Sequence, residues 1–264
     1  MNIEELLKTF WNDYLAITPV AKQVNDLLLK NGKTIVNDHI ALRTFAHAKT
    51  SKEKIAKFFL DFGYEIRGDY DFEEKKLNAI HLENTRDANL PKIFISELRY
   101  LELNPENSEV IQRELDSLSE LSVMELFTKS SVFNVSIKEY ESLAGESEYA
   151  AWMCAIGFRP NHFTIDVNKL ENFSSLLDLN NLLKQNGVAL NTFGGEIKGA
   201  PSVYLEQTST MADKIEVELL DGKKEVPSCY YEFAFRYKLP SGEFYQGFVT
   251  NSADKIFEST NVKN

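Results

Sequence analysis

The 264-residue sequence predicts an α+β fold in which two paired βαβββ modules form a curved central sheet, with further helices at the N-terminus and between the modules. The main observation is an internal repeat. Residues 38–44 (DHIALRT) begin one copy and residues 161–167 (NHFTIDV) begin the other, and each is followed by an amphipathic helix that ends at a glycine. The glycine follows the histidine by 24 residues in the first copy and by 25 in the second.

Two further matches follow in the same order. Residues 79–85 match residues 202–208 at an offset of 123, which is also the offset between the two histidines, and residues 94–100 resemble residues 230–237. Chance can produce any one of these matches, but four in register indicate a duplication. Two such units can curl their sheets around a shared centre, where a ligand pocket would lie between them.

The N-terminal segment, residues 1–34, is predicted to form a helical hairpin. Apolar residues recur at helical spacing over 3–16 and again over 19–31. Thr18 followed by Pro19 is typical of a helix start, with a capping side chain before a proline in the first turn.

The first module is assigned to residues 35–104. It opens with a strand at 39–45, continues with a helix over about 51–62 that Gly63 ends, and closes with three strands. A mostly helical insert is predicted for residues 105–155, where two charge-rich helices would form a bridge or a lid.

The second module is assigned to residues 156–260, and the whole chain, 1–264, to a single domain. Its helix is followed at Gly187 by an apolar segment that we predict to be a strand. The segment Gly194–Gly199 lacks phosphate-loop spacing, so we expect a flexible loop between strands, and a candidate pocket lid.

The composition limits the partners of the protein. A net charge of −11 argues against nucleic acid and anionic membranes, because both favour a basic protein face. No apolar run reaches the 18 or so residues of a membrane helix, and the N-terminus lacks the features of a signal peptide, so we expect a cytoplasmic protein. Cys154 and Cys229 form no paired motif and are expected to be buried, inert thiols.

Two of the four histidines occupy equivalent positions of the repeat. His39 and His162 each open the first strand of a module. In a pseudo-symmetric pair of modules, equivalent inward positions converge near the axis, so the two imidazoles can approach one point. Imidazole binds iron, zinc, nickel and copper. A lone histidine on a strand is usually structural, but the symmetry makes a shared metal site a real alternative.

Glu232 is the candidate for a third ligand. It lies within the aromatic run 230–236, where burial of a carboxylate is costly unless the group is paired or bound to a metal. Strand alternation places Glu232 and Arg236 on one face, so an ion pair between them is the competing explanation. Two histidines and one carboxylate suit non-haem iron(II), and zinc or nickel accept similar donors.

Arg43 is the candidate for binding a substrate carboxylate. It lies four residues after His39, on the same strand face, with the small Ala41 between them. Four residues of strand span about 13 Å, and a guanidinium can lean back over Ala41 and bind a carboxylate through two parallel hydrogen bonds. A salt bridge at the rim of the site is the alternative.

These residues resemble a known group of proteins. The duplicated unit is similar to the vicinal oxygen chelate fold, and the YYEFAFR strand resembles the glutamate-bearing last strand of hydroxyphenylpyruvate dioxygenase. The sequence resembles the 2-oxoadipate dioxygenase/decarboxylase family more closely, over most of residues 35–260. The motifs that carry this likeness are Asp38-His39 with Arg43-Thr44, Asn161-His162, Tyr230-Tyr231-Glu232-Phe233, and Gly247-Phe248 with Ala253 and Ile256-Phe257-Glu258-Ser259.

The resemblance implies that His39, His162 and Glu232 bind iron(II) and that Arg43 contacts the substrate carboxylate. It also implies a reaction in which a 2-oxo acid and O₂ are the small-molecule partners, and in which 2-oxoadipate yields 2-hydroxyglutarate and CO₂. Three protein ligands leave three octahedral positions, two for the 2-oxo acid and one for O₂.

Two other functions remain open at this point. Non-oxidative enzymes of the same fold, of the glyoxalase or isomerase kind, take a ligand from the last strand of each module. Glu97 corresponds roughly to Glu232 and would close such a site to four protein ligands, which favours Lewis-acid chemistry at zinc or nickel. The other alternative is a metal-free module that binds a small acid, in which the histidines are structural.

Overall fold

The computed structural model describes residues 2–30, 35–129, 132–171 and 173–260, with the backbone alone for 251–254. Parts of the predicted segments, namely Met1 and residues 31–34, 130–131, 172 and 261–264, lie outside the described residues. The helices are α1 (Ile3–Ile17), α2 (Pro19–Lys30), α3 (Lys52–Leu60), α4 (Pro105–Ser117), α5 (Val123–Thr128), α6 (Ile137–Glu146), α7 (Glu148–Ile156), α8 (Leu176–Gln185) and α9 (Thr250–Phe257). The strands are β1 (Asn37–Phe45), β2 (Tyr64–Phe72), β3 (Leu77–Asn84), β4 (Lys92–Leu98), β5 (His162–Asp166), β6 (Lys198–Ala200), β7 (Leu205–Ser209), β8 (Lys214–Leu219), β9 (Gly222–Pro227) and β10 (Tyr230–Arg236).

The first strands of the two modules, β1 and β5, lie side by side in the middle of one curled sheet. Its strand order is β2-β3-β4-β1-β5-β10-β7-β6. β1 and β5 run antiparallel, and each has the last strand of its own module as a parallel neighbour, β4 beside β1 and β10 beside β5. Counted outward from β1 and from β5, the two halves of the sheet therefore have equivalent strands in the same order. The predicted fold of two paired βαβββ modules is confirmed.

The N-terminal helices cover one face of this sheet. α1 begins with a capping box, in which the side chain of Asn2 and that of Glu5 each bind the other residue's backbone N–H. Its buried stripe packs on the sheet, where the Tyr14 hydroxyl donates to the carbonyl of Tyr230 at 2.6 Å and the Trp11 ring lies 4.9 Å from that of Phe163. The helices predicted at 3–16 and 19–31 are present as α1 and α2.

The opposite face of the sheet carries the polar residues of the central strands. Alternation along β1 sends Ile40 and Leu42 to one side and His39 and Arg43 to the other. All four side chains are buried, because the second face is covered in turn by α7 and by the C-terminal residues. Buried polar groups of this kind need hydrogen-bond or metal partners, and the partners of His39 and Arg43 are described in the next section.

The second module departs from the prediction in its outer strands. The apolar segment 188–190 was predicted to be a strand, but it pairs only through an isolated bridge between Leu190 and Thr210. The edge of β7 is instead occupied by β6, which begins inside the segment 194–199 that was predicted to be a flexible loop. The segment 188–190 therefore has no free edge to join. β8 and β9 form a separate two-stranded hairpin.

The predicted helical insert contains α4 to α7, and the last of these, α7, is a core helix. Each of its nine residues is buried. The hydroxyl of Tyr149 accepts from the backbone N–H of Thr44 at 2.9 Å and donates to the carbonyl of Ser96 at 2.7 Å. These bonds hold the start of α7 against β1 and β4.

Among the described residues, no helix is both long enough and apolar enough to cross a membrane. Cys154 and Cys229 are both fully buried, as predicted, and burial raises the pKa of each thiol, that of Cys229 to about 12. Neither is a reactive thiolate at neutral pH.

Candidate metal centre

His39, His162 and Glu232 converge at the centre of the sheet. They lie on β1, β5 and β10, which are adjacent strands, and the register pairs both His39 and Glu232 with Thr164. One ligand atom from each of the three side chains lies within 4.8 Å of the other two. Nε2 of His39 is 3.5 Å from Oε1 of Glu232, and Nε2 of His162 is 3.5 Å from Oε2.

Both imidazoles are oriented by the residue that precedes them. Nδ1 of His39 lies 2.8 Å from Oδ1 of Asp38, and Nδ1 of His162 lies 3.1 Å from Oδ1 of Asn161. An Nδ1–H that is donated outward leaves Nε2 of each ring as an acceptor that faces the other ligands. Burial lowers the pKa of both histidines, that of His162 strongly, so both rings are neutral and able to bind a metal.

Glu232 is a carboxyl group that is almost completely buried. The Nε2 amide of Gln207 donates to its Oε1 at 2.6 Å, and burial raises its pKa to about 8. In the described part of the chain, the basic groups within 4.0 Å of its oxygens are the two imidazoles, which are neutral. A divalent cation would offset the cost of burying this carboxylate, so the residues present fit a metal ion.

The ligand atoms face a small cavity of about 20 Å³. One wall is Phe248, whose ring centroid lies 4.8 Å from that of His39 at nearly right angles. The residues that line the cavity are His39, Phe94, His162, Gln207, Glu232, Phe248, Ile256 and Phe257. A metal centre here would have an apolar surround that excludes bulk water.

Glu97 does not reach the site, and its predicted equivalence with Glu232 is wrong. Glu97 pairs in register with Thr44, on the other face of the sheet from His39. Its carboxylate accepts from the Nζ of Lys52 at 2.7 Å and from the backbone N–H of the same residue at 2.9 Å. The two last strands have similar sequences, but the match was shifted by three residues, and an odd shift moves a side chain to the opposite face.

Phe94 occupies the position in the first module that Glu232 has in the second. On β10, Glu232 lies two residues after the one that pairs with His162. On β4, Phe94 lies two residues after the one that pairs with His39. The structure therefore places an apolar ring where a fourth protein ligand would be.

Arg43 lies close to the metal cavity but does not line it. Its guanidinium is buried, and the ring of Phe257, which does line the cavity, lies 5.7 Å from its central carbon. Nη1 donates to Oε2 of Glu148 and Nη2 to the hydroxyl of Thr260, each at 3.2 Å. The predicted alternative, a rim salt bridge, does not describe this buried group.

A model of the family described as 2-oxoadipate dioxygenase/decarboxylase matches residues 8–127 and 119–243. These two matches cover most of the chain. The chain belongs to this family. The family resemblance predicted from the sequence motifs is thereby confirmed.

Several members of the 2-oxoadipate dioxygenase/decarboxylase family and solved structures are similar over most of their length. The Arabidopsis thaliana protein named 2-oxoadipate dioxygenase/decarboxylase, chloroplastic, is 33% identical, over 94% of this chain and 74% of the relative. The structure of hydroxyglutarate synthase from Oryza sativa in complex with 2-oxoadipate is 31% identical, with a TM-score of 0.90, over 98% of this chain and 92% of that one. A protein from Shewanella frigidimarina NCIMB 400, provisionally named a hydrolase, is 45% identical, with a TM-score of 0.89, over 94% and 98% of the two chains.

A solved structure of lower sequence identity has a similar fold. A protein from Ralstonia eutropha JMP134 whose provisional name places it in the glyoxalase superfamily has a TM-score of 0.77 at 18% identity, over 90% of this chain and 83% of that one. At this identity the likeness concerns the fold alone. It supports the predicted vicinal oxygen chelate-like architecture.

The sequence did not reveal the residues that support the ligands. Arg236 was considered as an ion-pair partner of Glu232, but its guanidinium binds both carboxylate oxygens of Asp38, at 2.6 and 2.8 Å. Gln207, which holds Glu232, had no signal of its own. A signal for Asp38 did exist, because an amide or carboxylate side chain precedes the histidine in both copies of the repeat.

Proposed function

We propose that this protein is an iron(II)-dependent enzyme that uses O₂ to decarboxylate and hydroxylate a 2-oxo dicarboxylic acid, with 2-oxoadipate as the substrate and 2-hydroxyglutarate and CO₂ as the products. The observation that carries the proposal is the convergence of His39, His162 and Glu232, with donor atoms within 4.8 Å of one another. Membership of the 2-oxoadipate dioxygenase/decarboxylase family supports the reaction.

The ligand count favours O₂ chemistry over the non-oxidative alternatives. Phe94 occupies the place of a fourth protein ligand, so a bound ion would keep open positions for substrate and O₂. Iron(II), when bound, supplies a centre that can hold both oxygens of a 2-oxo acid and reduce O₂. The glyoxalase-type alternative required Glu97 as a fourth metal ligand, but Glu97 binds Lys52 on the other face of the sheet.

The residues next to the two histidines hold both rings in the protonation state that metal binding requires. Asp38 and Asn161 accept the Nδ1 protons of His39 and His162, which leaves both Nε2 atoms free of protons. Gln207 donates to one oxygen of Glu232 and so fixes the plane of the carboxylate.

Arg43 and the apolar walls determine which substrate fits. A guanidinium that carries a fixed positive charge in a buried setting favours a substrate with a second carboxylate at the end away from the metal. Phe94, Phe248 and Phe257 line the cavity and keep water away from the reacting carbons. The overall reaction is balanced, since one 2-oxoadipate and one O₂ contain the same atoms as one 2-hydroxyglutarate and one CO₂.

The test is a stoichiometric assay of purified protein loaded with iron(II). With 2-oxoadipate, O₂ consumption, CO₂ release and 2-hydroxyglutarate formation should be equal. A series of 2-oxo acids of different length, with and without a second carboxylate, establishes the substrate. The matched control is the His162→Ala variant, which should be folded by circular dichroism and inactive. Absence of O₂ consumption with every acid, in protein shown to contain iron, would contradict the proposal.

The identity of the metal needs a separate measurement. Calorimetric titration of metal-free protein with iron(II), zinc(II) and nickel(II) should show one site per chain. Activity with O₂ should appear only in the iron(II) form. A protein that binds none of these ions would be the metal-free acid-binding module that the sequence left open.

A further inference from the structure

The cavity beside the metal ligands is too small for the substrate. Its volume of about 20 Å³ is enough for a single water molecule. A 2-oxo acid that binds a metal through two oxygens is many times larger. One wall of the cavity must therefore move before a substrate can enter.

The wall that can move is the C-terminal segment Ile256–Thr260, which we call the C-terminal lid. The other walls are residues of the central sheet, which neighbouring strands hold on both sides, and Phe248, whose segment is held by hydrogen bonds from Arg236 to its backbone. Phe257 of the lid lines the cavity and also lies against Arg43. A substrate that reaches from the metal ligands to Arg43 would have to occupy the space of this ring.

Side-chain bonds at three points fasten the lid to the body of the protein. Glu258 accepts from the Nζ of Lys75 at 2.5 Å, and the hydroxyl of Ser259 lies 2.9 Å from that of Ser209. The hydroxyl of Thr260 donates to Oε2 of Glu148 at 2.8 Å. The third bond joins the lid to the carboxylate that also contacts Arg43.

The hydrogen bonds of Arg43 are long and incomplete in this closed arrangement, although its guanidinium also lies over the ring of Tyr149 at 4.7 Å. Its bonds to Glu148 and Thr260 are both 3.2 Å long, whereas charge-assisted bonds of this kind are usually 2.7–2.9 Å. Its buried Nε has no hydrogen-bond partner among the described residues. A carboxylate that approached in the plane of the guanidinium could form two shorter, parallel bonds.

We propose that Glu148 is an internal carboxylate that occupies Arg43 and fastens the C-terminal lid until the distal carboxylate of the substrate takes its place. This inference rests on the proposed function in one respect, namely that Arg43 contacts the substrate. Substrate binding would exchange one carboxylate for another at Arg43. The exchange would weaken the link between Glu148 and Thr260 and so couple recognition of a dicarboxylate to movement of the lid.

The Glu148→Gln variant tests the exchange. It keeps the size of the side chain and removes the competing charge. Binding of 2-oxoadipate and of 2-oxohexanoate, which has the same carbon chain without the second carboxylate, is measured anaerobically by calorimetry on iron(II)-loaded protein. A looser lid would help both acids, so the ratio of their dissociation constants isolates the competition. The preference for 2-oxoadipate should rise on the order of tenfold or more, as expected for removal of one charged hydrogen-bond partner.

Other variants separate the lid from the charge and guard against misfolding. Glu97→Gln removes another buried carboxylate that is paired with a cation, on the opposite face of the sheet from Arg43, and should leave both dissociation constants unchanged. Ser209→Ala removes the bond to Ser259 of the lid and leaves both hydrogen-bond partners of Arg43 in place. In stopped-flow measurements both acids should therefore associate faster, while the ratio of their dissociation constants should stay constant. If Glu148→Gln does not fold, Glu148→Asp withdraws the carboxylate from Arg43 and should change the ratio in the same direction.

The outcomes distinguish this inference from the proposed function. An unchanged or lower preference for 2-oxoadipate in the folded Glu148 variant overturns the exchange, and unchanged association rates in Ser209→Ala overturn the lid. Anaerobic binding needs no turnover. A wild-type protein that binds both acids but consumes no O₂ would therefore contradict the proposed function while the ratio still tests the exchange.

Discussion

The carboxylate of Asp38 lies 2.8 Å from Nδ1 of His39, and both side chains are buried. Burial by itself would raise the pKa of Asp38, but the positive charges of Arg236 and Lys92 together lower it well below its usual value. Asp38 is therefore ionised at neutral pH and accepts the Nδ1 proton of His39. The ring is held with Nε2 toward the other ligands before any metal arrives.

Replacement of Asp38 by alanine should weaken metal binding by about 10–100-fold, because an outer partner that orients a ligand typically contributes this much. The equivalent Asn161→Ala change should have a smaller effect, since a neutral amide at 3.1 Å stabilises the imidazole less than a carboxylate at 2.8 Å does. Competition with a chelator of known affinity measures the metal dissociation constants of the two variants. Equal losses in the two variants would show that the charge of Asp38 is unimportant.

The three proposed ligands could be predicted from the sequence because duplication and strand alternation leave a periodic record. Their supporting residues could not. Arg236 is 198 residues away from Asp38, and Glu148 is 105 residues away from Arg43. Nothing local marks either pair, because the partners meet only when the sheet and α7 are assembled. The placement of Glu97 failed for a different reason, since a shift of three residues between similar strands reverses the face.

In the metal-free protein, Glu232 should make stability depend on pH. Burial raises its pKa in the folded state to about 8, above the ordinary value of 4.5. The folded protein thus holds the proton more tightly than the unfolded chain. This contribution to the free energy of unfolding is full below about pH 4.5 and is lost as the pH rises toward 8.

The Glu232→Gln variant stays neutral and should not lose that contribution. The melting temperature of the metal-free variant, compared with that of the metal-free wild type, should therefore increase between pH 5 and pH 8. Thermal denaturation of both proteins in a chelator at several pH values gives the difference. A difference that does not change with pH would mean that Glu232 is not protonated in the folded, metal-free protein.

Phe94→Glu should convert the site toward the four-ligand type. The new carboxylate would lie at the position that corresponds to Glu232, on the strand beside His39. It would occupy a coordination position that substrate or O₂ would otherwise take. Zinc affinity should therefore be unchanged or higher, while most O₂ consumption should be lost. Phe94→Gln is the matched control, with the same size and a weaker ligand. Similar metal affinities in the two variants would show that this position does not face the ion.

Arg43→Lys should weaken the binding of 2-oxoadipate without loss of metal. Lysine keeps the charge that balances Glu148 but cannot form two parallel bonds with a carboxylate. We expect KM for 2-oxoadipate to rise about 10–100-fold, as for the loss of a hydrogen bond to a charged group. KM for 2-oxohexanoate should stay unchanged, and metal content is measured alongside. An equal increase in KM for both acids would assign Arg43 to the structure of the site rather than to the second carboxylate.

Arg236 links the orientation of His39 to the wall of the cavity. In addition to Asp38, it donates through Nη1 to the carbonyls of Tyr245 and Gly247, at 2.9 and 2.8 Å. Its guanidinium lies 5.3 Å from the ring of Phe248, which packs against His39. One side chain therefore holds both the partner of a ligand and the segment that covers it.

Arg236→Lys should disturb both the orientation of His39 and the wall formed by Phe248, because an ammonium group cannot reproduce four hydrogen bonds in a fixed plane. Metal affinity should fall about tenfold or more through Asp38, and hydrogen exchange should become faster at the amide of Phe248, which donates to the hydroxyl of Tyr70. Asp38→Ala is the control, since it removes only the bonds between Arg236 and the partner of His39. It should weaken metal binding while exchange at Phe248 stays slow, since the bonds from Arg236 to the carbonyls of Tyr245 and Gly247 remain. If exchange is equally fast in both variants, the wall depends on the Arg236–Asp38 ion pair as a whole and not on separate bonds to the guanidinium.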